Sequence, residues 1–147
     1  MRRFLFDTNV FVYALGGEHT LREPCRNILV RAARGELRGE ASVDLVQEVA
    51  HQRYRQTRQR MAAARAARRV SQAVVLHALE PGDLELALDL FEQSSRMSAR
   101  DACFAAVALN RGIDAILTAD HDFDGVDGLD RVDPADEVAV TALARTG

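Results

Sequence analysis

Two short apolar runs, far apart in the chain, each lead into an aspartate. Asp7 directly follows Phe4-Leu5-Phe6, and Asp120 closely follows Ala115-Ile116-Leu117-Thr118. Uniformly apolar runs of this length suit buried parallel strands, with the carboxylates at their carboxyl ends. Ligands bind at those ends in open α/β sheets. Two more acids, Glu48 and Asp101, fall on predicted helices that such a fold could bring to the same edge. Four converging carboxylates would repel, each pair by about 4 kcal/mol at roughly 4 Å for an effective dielectric of about 20. A hard divalent cation with oxygen ligands, magnesium or manganese, relieves that repulsion.

The rest of the chain supplies alternating strand and helix signals. Leu21 to Arg34 reads as helix, with Pro24 tolerated in its first turn and Gly35 as terminator. A short strand near Leu37 to Ala41 leads to Ser42, an N-cap for the helix holding Val43, Val46, Glu48, Val49 and Ala50. Helix is expected to continue, with one break near the arginines, to about His77. Pro81-Gly82 marks a loop, Asp83 caps a helix over Leu84 to Gln93, and Ala99 to Arg111 forms another, stopped by Gly112. The strand Ala115 to Thr118 follows, then a short edge strand near Leu129 to Val132. Alternation of this kind predicts a parallel sheet covered by helices on both faces. Ala135 to Arg145 is a candidate terminal helix within a tail over 135–147.

The 147 residues fit one domain, with no repeat, linker or internal boundary. The longest apolar runs are far too short to cross a bilayer, and the charged Met1-Arg2-Arg3 leads straight into a strand. The expectation is a cytoplasmic protein with no membrane partner. Cys25 and Cys103 have no metal-ligand spacing and read as reduced packing residues. All nineteen basic residues are arginine. Without lysine there is no P-loop, and receiver-like and dehalogenase-like phosphotransfer sites lose a group they rely on. Asp7-Thr8-Asn9 also lacks the second aspartate of a dehalogenase-type loop, and no G-x-G-x-x-G follows the first strand, which argues against dinucleotide binding.

The net charge of −3 hides strong segregation. No acid lies between Glu48 and Glu80, while Arg53, Arg55, Arg58, Arg60, Arg65, Arg68 and Arg69 all fall there. Conversely, the stretch from Asp114 to Glu137 carries nine acids against the single Arg131. Alanine-rich sequence such as Met61-Ala-Ala-Ala-Arg favours helix, so the arginine arm should be helical and partly exposed. It is either a solvated face or a contact surface for phosphate, because guanidinium forks engage phosphate oxygens bidentately without reading sequence.

With these elements placed, the chain resembles the PIN-domain family, particularly the VapC-type ribonuclease toxins of bacterial toxin–antitoxin pairs. The resemblance rests on Phe6-Asp7-Thr8-Asn9, on Glu48 within Leu45-Val46-Gln47-Glu48-Val49, on Asp101 within Ala99-Arg100-Asp101-Ala102, and on Thr118-Ala119-Asp120-His121-Asp122-Phe123. It implies a three-layer α/β/α fold with a short central parallel sheet, a divalent-metal site, and endonucleolytic cleavage of RNA. It further implies an antitoxin that occludes the site and, commonly, a homodimer. The tail after Pro134 departs from the pattern, since many such chains stop near there.

Phosphodiester hydrolysis requires a nucleophilic water and a neutralised transition state, and bound magnesium supplies both. Asp7, Asp101 and Asp120 are the expected metal ligands, and Glu48 orients water or acts as base. Thr8, Asn9 and Thr118 are accessory candidates, as outer-shell groups that hold ligands. Asp122 is a fifth acid that would either join the site or cap its turn. Each acid has a plainer reading: Asp101 follows Ser98 by three residues, like a helix-capping pair, and Asp7 alone could be a turn residue. Their joint placement favours the metal. Asp120-His-Asp122-Phe-Asp124-Gly125 also matches the start of a calcium-binding EF-hand loop, broken at the twelfth position by Arg131. A DNA-directed nuclease and a catalytically silent binding module on the same fold are the remaining alternatives.

Overall fold

The computed structural model describes residues 1–145. Five parallel strands form one sheet: β1 (Arg3–Phe6), β2 (Arg38–Ser42), β3 (Val75–His77), β4 (Ala115–Leu117) and β5 (Asp130–Val132), in the order β3-β2-β1-β4-β5. Phe4, Leu5 and Phe6 of the central strand are buried completely, and so are Ala115, Ile116 and Leu117 of β4. Seven helices flank the sheet among the described residues: α1 (Thr8–Leu15), α2 (Arg22–Ala33), α3 (Val43–Thr57), α4 (Arg60–Ala73), α5 (Pro81–Gln93), α6 (Ala99–Asn110) and α7 (Glu137–Ala144). The arrangement is the expected three-layer α/β/α fold. The chain runs outward from β1 through β2 to β3, then crosses to the other side of β1 as β4 and β5. The strand order therefore reverses between β1 and β4. That is where the carboxyl ends of two strands diverge from a shared crevice.

Local packing explains the register. Phe4 of β1 lies opposite Gly39 of β2, and a Cβ on Gly39 would come within 2.1 Å of the Phe6 ring. The glycine leaves the space that Phe6 fills. Helix α6 is apolar nearly all round, with Ala102, Phe104, Ala105, Ala106, Val107 and Ala108 buried, as a helix in the core must be.

Several expectations change. Thr8–Leu15 is a helix the sequence reading passed over, capped by Asp7 itself. The long helix does break among the arginines, at Arg58, whose φ of 56° is left-handed. It stops at Ala73 instead of His77, however, because Val75, Leu76 and His77 pair with Glu40, Ala41 and Ser42 as β3. Helix α5 begins at Pro81, with Glu80 as N-cap, so Pro81-Gly82 is its first turn. Asp83 stands at the third position and completes a capping box with Glu80. The terminal helix is present over Glu137–Ala144, with Val140 and Leu143 buried. The Arg2 amide donates to the Leu143 carbonyl at 3.0 Å, tying the tail to the start of β1. Residues 146–147 of the expected tail lie outside the described residues.

Two buried carboxylates, Glu40 in the sheet and Asp83 between helices, tie the fold together. Glu40 receives Arg3 through two hydrogen bonds, at 2.6 and 2.9 Å, and His77 Nε2 lies 2.8 Å from its Oε1. Burial acts to raise the Glu40 pKa, but these partners outweigh it and leave it below the ordinary value. Asp83 accepts from Arg111 and from Asn110, which joins α5 to the end of α6. The Arg111 bond, aided by Asn110 and the Glu80 amide, overcomes desolvation and lowers the Asp83 pKa to about 2.

Candidate functional site

Asp7 enters the crevice from the end of β1, where its amide donates to the Leu117 carbonyl of β4. Its Oδ1 accepts from the Thr8 amide at 2.7 Å, capping α1, and its Oδ2 accepts from the Thr118 hydroxyl at 2.7 Å. The residue is 5% exposed. Burial pushes its pKa up to about 6, opposed by the Thr118 and Thr8 hydrogen bonds and assisted by repulsion from Asp101 and Asp120.

Asp120 follows β4, and its Oδ1 accepts from the Asp122 amide at 2.9 Å, opening the 3-10 turn His121–Phe123. Asp101 occupies the third position of α6, where its amide donates to Ser98 Oγ at 3.1 Å. The backbone half of the cap is made, and the carboxylate also reaches the acidic group. Carboxylate oxygens from Asp101, Asp120 and Asp122 lie within 4.8 Å of one another. Burial raises the Asp101 pKa, and repulsion from Asp120 and Asp122 raises it further, while hydrogen bonding to Ser98 and the nearby Arg100 charge pull the other way.

The structure thus brings Asp101, Asp120 and Asp122 together beside Asp7. Asp122 belongs to the closest group, a stronger position than its sequence suggested. The signal was its two-residue spacing from Asp120, which the turn converts into proximity. Glu48 stands outside the triad. Its Oε1 forms an ion pair with Arg100 at 3.1 Å and accepts from Gln52 at 3.1 Å, in a cavity that His51 also lines. Sequence reasoning did not single out Arg100, although its place directly before Asp101 was visible.

The accessory residues surround Asp7. Thr118 Oγ accepts from Asn9 Nδ2 and from the Asp120 amide, each at 3.0 Å. Thr8 Oγ1 and Asn9 Oδ1 are buried with no hydrogen-bond partner among the described residues. Buried polar atoms are normally satisfied, so these two are groups held ready for a ligand or its water. An all-oxygen carboxylate set with polar groups alongside matches the hard-donor chemistry of magnesium or manganese. The residues fit such an ion.

The arginine arm is not one surface. Arg53 is spent on the Leu15 carbonyl at 2.9 Å, and Arg58 and Arg60 lie over the Tyr54 ring. Arg65 edges an apolar groove between α1, α2 and α4, and Arg55 alone of the candidate arginines lines the Glu48 cavity. The EF-hand alternative fails on geometry. Strand β4, not a helix, precedes the segment, and Asp124 is held by Arg131 at 2.7 Å and His121 at 2.9 Å.

The PIN domain family model matches residues 4–129. The chain belongs to the PIN-domain family. Among its relatives is ribonuclease VapC7 of Mycobacterium tuberculosis, 33% identical over 126 residues, covering 81% of this chain and 83% of that protein. Ribonuclease VapC13 of the same organism is 29% identical over 87% of this chain and 98% of its own length. Among solved structures, a toxin–antitoxin complex from Klebsiella pneumoniae aligns with a TM-score of 0.66 at 19% identity, covering 89% of this chain and 97% of that one. VapC20 of Mycobacterium tuberculosis, described as a sarcin–ricin loop cleaving toxin, aligns with a TM-score of 0.64 at 20% identity, covering 85% of this chain and 92% of its own. These two likenesses establish the PIN fold. In this PIN domain the acidic crevice lies at the strand-order reversal, as the α/β rule requires.

Proposed function

We propose that this protein is a divalent-metal-dependent endoribonuclease, the toxin of a VapBC-type toxin–antitoxin pair, acting through Asp7, Glu48, Asp101 and Asp120 with Asp122 added. The observation that carries the reading is the Asp101, Asp120 and Asp122 triad, with oxygens within 4.8 Å of one another, beside buried Asp7. Asp101, Asp120 and Asp122 would hold magnesium or manganese, with Asp7 closing the site from the β1 side. Such an ion supplies Lewis acidity toward water and charge neutralisation at phosphoryl oxygens. The chain does the positioning. Thr118 and the Thr8 amide fix the Asp7 carboxylate, Ser98 starts the helix that presents Asp101, and the turn at Asp120 presents Asp122. Glu48, paired with Arg100 on the facing helix, would orient water or act as base.

The reading extends to one domain over 1–147, a cytoplasmic location, a homodimer and an antitoxin partner. No helix among the described residues is long and apolar enough to cross a membrane. The groove between α1, α2 and α4, lined by Phe11, Leu15, Leu29 and Val70 and edged by Arg53, Arg65 and Arg69, suits an amphipathic acidic segment of that antitoxin.

The deciding experiment incubates purified, antitoxin-free protein with a broad RNA pool and with single-stranded DNA, in magnesium, manganese, calcium or EDTA. New 5′ ends are mapped by sequencing. Discrete RNA cuts in magnesium or manganese, lost in EDTA, support the proposal. Undiminished cutting in EDTA, or cutting of DNA alone, overturns it.

A further inference from the structure

A cavity of about 490 Å³ lies between α3 and α6, a volume typical of small-molecule sites. One wall is a single face of α3. Glu48, His51, Gln52 and Arg55 recur at three- and four-residue steps, which stacks them on successive turns. Arg100 of α6 forms the opposite side, and buried Phe104 forms part of the floor. Phe104 of this cavity stands three residues after Asp101 on α6, so the cavity and the triad meet on neighbouring turns of one helix.

The chemistry of the walls is mixed in an informative way. Arg100 is 65% exposed and spends one nitrogen on Glu48, leaving further guanidinium donors for an anion. Arg55 and the His51 ring are exposed on the facing helix. Two guanidinium groups across a cavity from one another suit a phosphate. A flat imidazole beside them suits an unpaired base, since bases in single-stranded RNA stack on histidine and arginine planes. Glu48 supplies a carboxylate that a phosphate would replace as the partner of Arg100.

We infer that this cavity is a nucleotide subsite, taking the unpaired nucleotide next to the cleaved bond with its phosphate between Arg55 and Arg100 and its base against His51. The inference rests on the ribonuclease reading and adds to it a place where sequence preference is set. It also couples substrate to chemistry. A phosphate held by Arg100 would compete with Glu48 for the same guanidinium.

The test separates binding from cutting. A nucleoside 3′,5′-bisphosphate is titrated into the full chain in EDTA while the His51 ring resonances are followed by NMR. The expected result is a saturable shift that Arg55→Gln weakens roughly tenfold, the scale of one lost charge-assisted contact. In magnesium, His51→Ala is expected to cut RNA less efficiently and to lose wild-type nucleotide preference at mapped 5′ ends. Both residues are exposed on α3, so the variants keep the core, and their melting temperatures check this. If the His51 resonances do not move, or if both variants bind and cut with wild-type preference, the subsite is wrong. If the bisphosphate shifts His51 but the wild type cuts no RNA, the subsite stands and the ribonuclease reading falls.

Discussion

The Thr118 hydroxyl donates to Asp7 Oδ2 at 2.7 Å while accepting from the Asp120 amide at 3.0 Å. One side chain at the end of β4 therefore holds the carboxylate of Asp7 and the backbone of Asp120. With Asn9 Nδ2 also donating to it, the hydroxyl uses its one donor and both acceptor positions. Thr118 is fully buried, so no water can substitute for what it provides.

Thr118→Val keeps the shape and removes the hub. Asp7 loses a hydrogen bond that holds its pKa down, and two donors are left without an acceptor. The expected cost is about 1–3 kcal/mol, with metal affinity lower by roughly 10–100-fold, the scale for partners of metal ligands. Because ions bind the deprotonated carboxylate, the pH midpoint of magnesium-induced stabilisation should rise in the variant. Thermal melts across pH with and without magnesium measure it. Thr118→Ser should restore most of both quantities.

Asp83 and Arg111 give a pH signature remote from the candidate site. The Asp83 pKa falls from an ordinary 3.8 to about 2 in the folded protein. A depressed carboxylate stabilises the fold above its unfolded pKa, and that contribution disappears as pH falls toward the folded value. The shift is worth about 2 kcal/mol. Asp83→Asn should therefore be less stable than wild type by about that amount near pH 7, with the difference shrinking as pH falls from about 4 toward 2. Urea melts over that range follow it, and a gap constant with pH would assign the cost to packing instead.

Glycine at 39 is a space requirement. Gly39→Ala places a Cβ within 2.1 Å of the Phe6 ring, which is itself fully buried against Phe4 and Phe11. Overpacking of this kind costs typically about 1–3 kcal/mol. Denaturant melts should show the loss, and Phe6→Leu in the same chain should recover part of it.

Sequence alone located what local pattern determines. Asp7 and Asp120 were legible because apolar runs mark strand ends, and Ser42 and Ser98 because caps sit at fixed offsets. What escaped depends on distant residues. Ala62 to Leu76 contains no glycine or proline to stop an alanine-rich helix, and β3 exists because Glu40, Ala41 and Ser42 offer an unpaired strand edge. Helix α1 is hidden because Val10, Phe11, Val12 and Tyr13 favour strand by composition, while its cap is Asp7, whose carboxylate is also a candidate ligand. For the same reason Asp83 read as a simple cap: its partners Asn110 and Arg111 lie on the next helix and at its end. The turn at Asp120 folds Asp122 into the triad, while Glu48 pairs with Arg100 in a separate cavity.

Asp101 offers the sharpest separation of ligand from cap, because the two roles predict opposite signs. Its raised pKa means that the charged form is disfavoured in the folded protein, through burial first and repulsion from Asp120 and Asp122 after it. Asp101→Asn removes that charge. In metal-free protein the relief is up to a few kcal/mol at close approach, less whatever solvent screens. Against it stands the roughly 0.3–1 kcal/mol that a carboxylate contributes near a helix N-terminus. The Asp101 backbone amide donates to Ser98 and asparagine retains it, while the Ser98 contact to the carboxylate, which pulls its pKa down, is weakened along with the charge. The variant should therefore be more stable than wild type in EDTA, gain less from added magnesium, and fail to cut RNA. Denaturant melts with and without the ion read the first two quantities directly, since a ligand stabilises only in proportion to its binding. A variant that is less stable in EDTA, as responsive to magnesium as wild type, and still active would return Asp101 to a capping role and leave Asp120 and Asp122 to act without it.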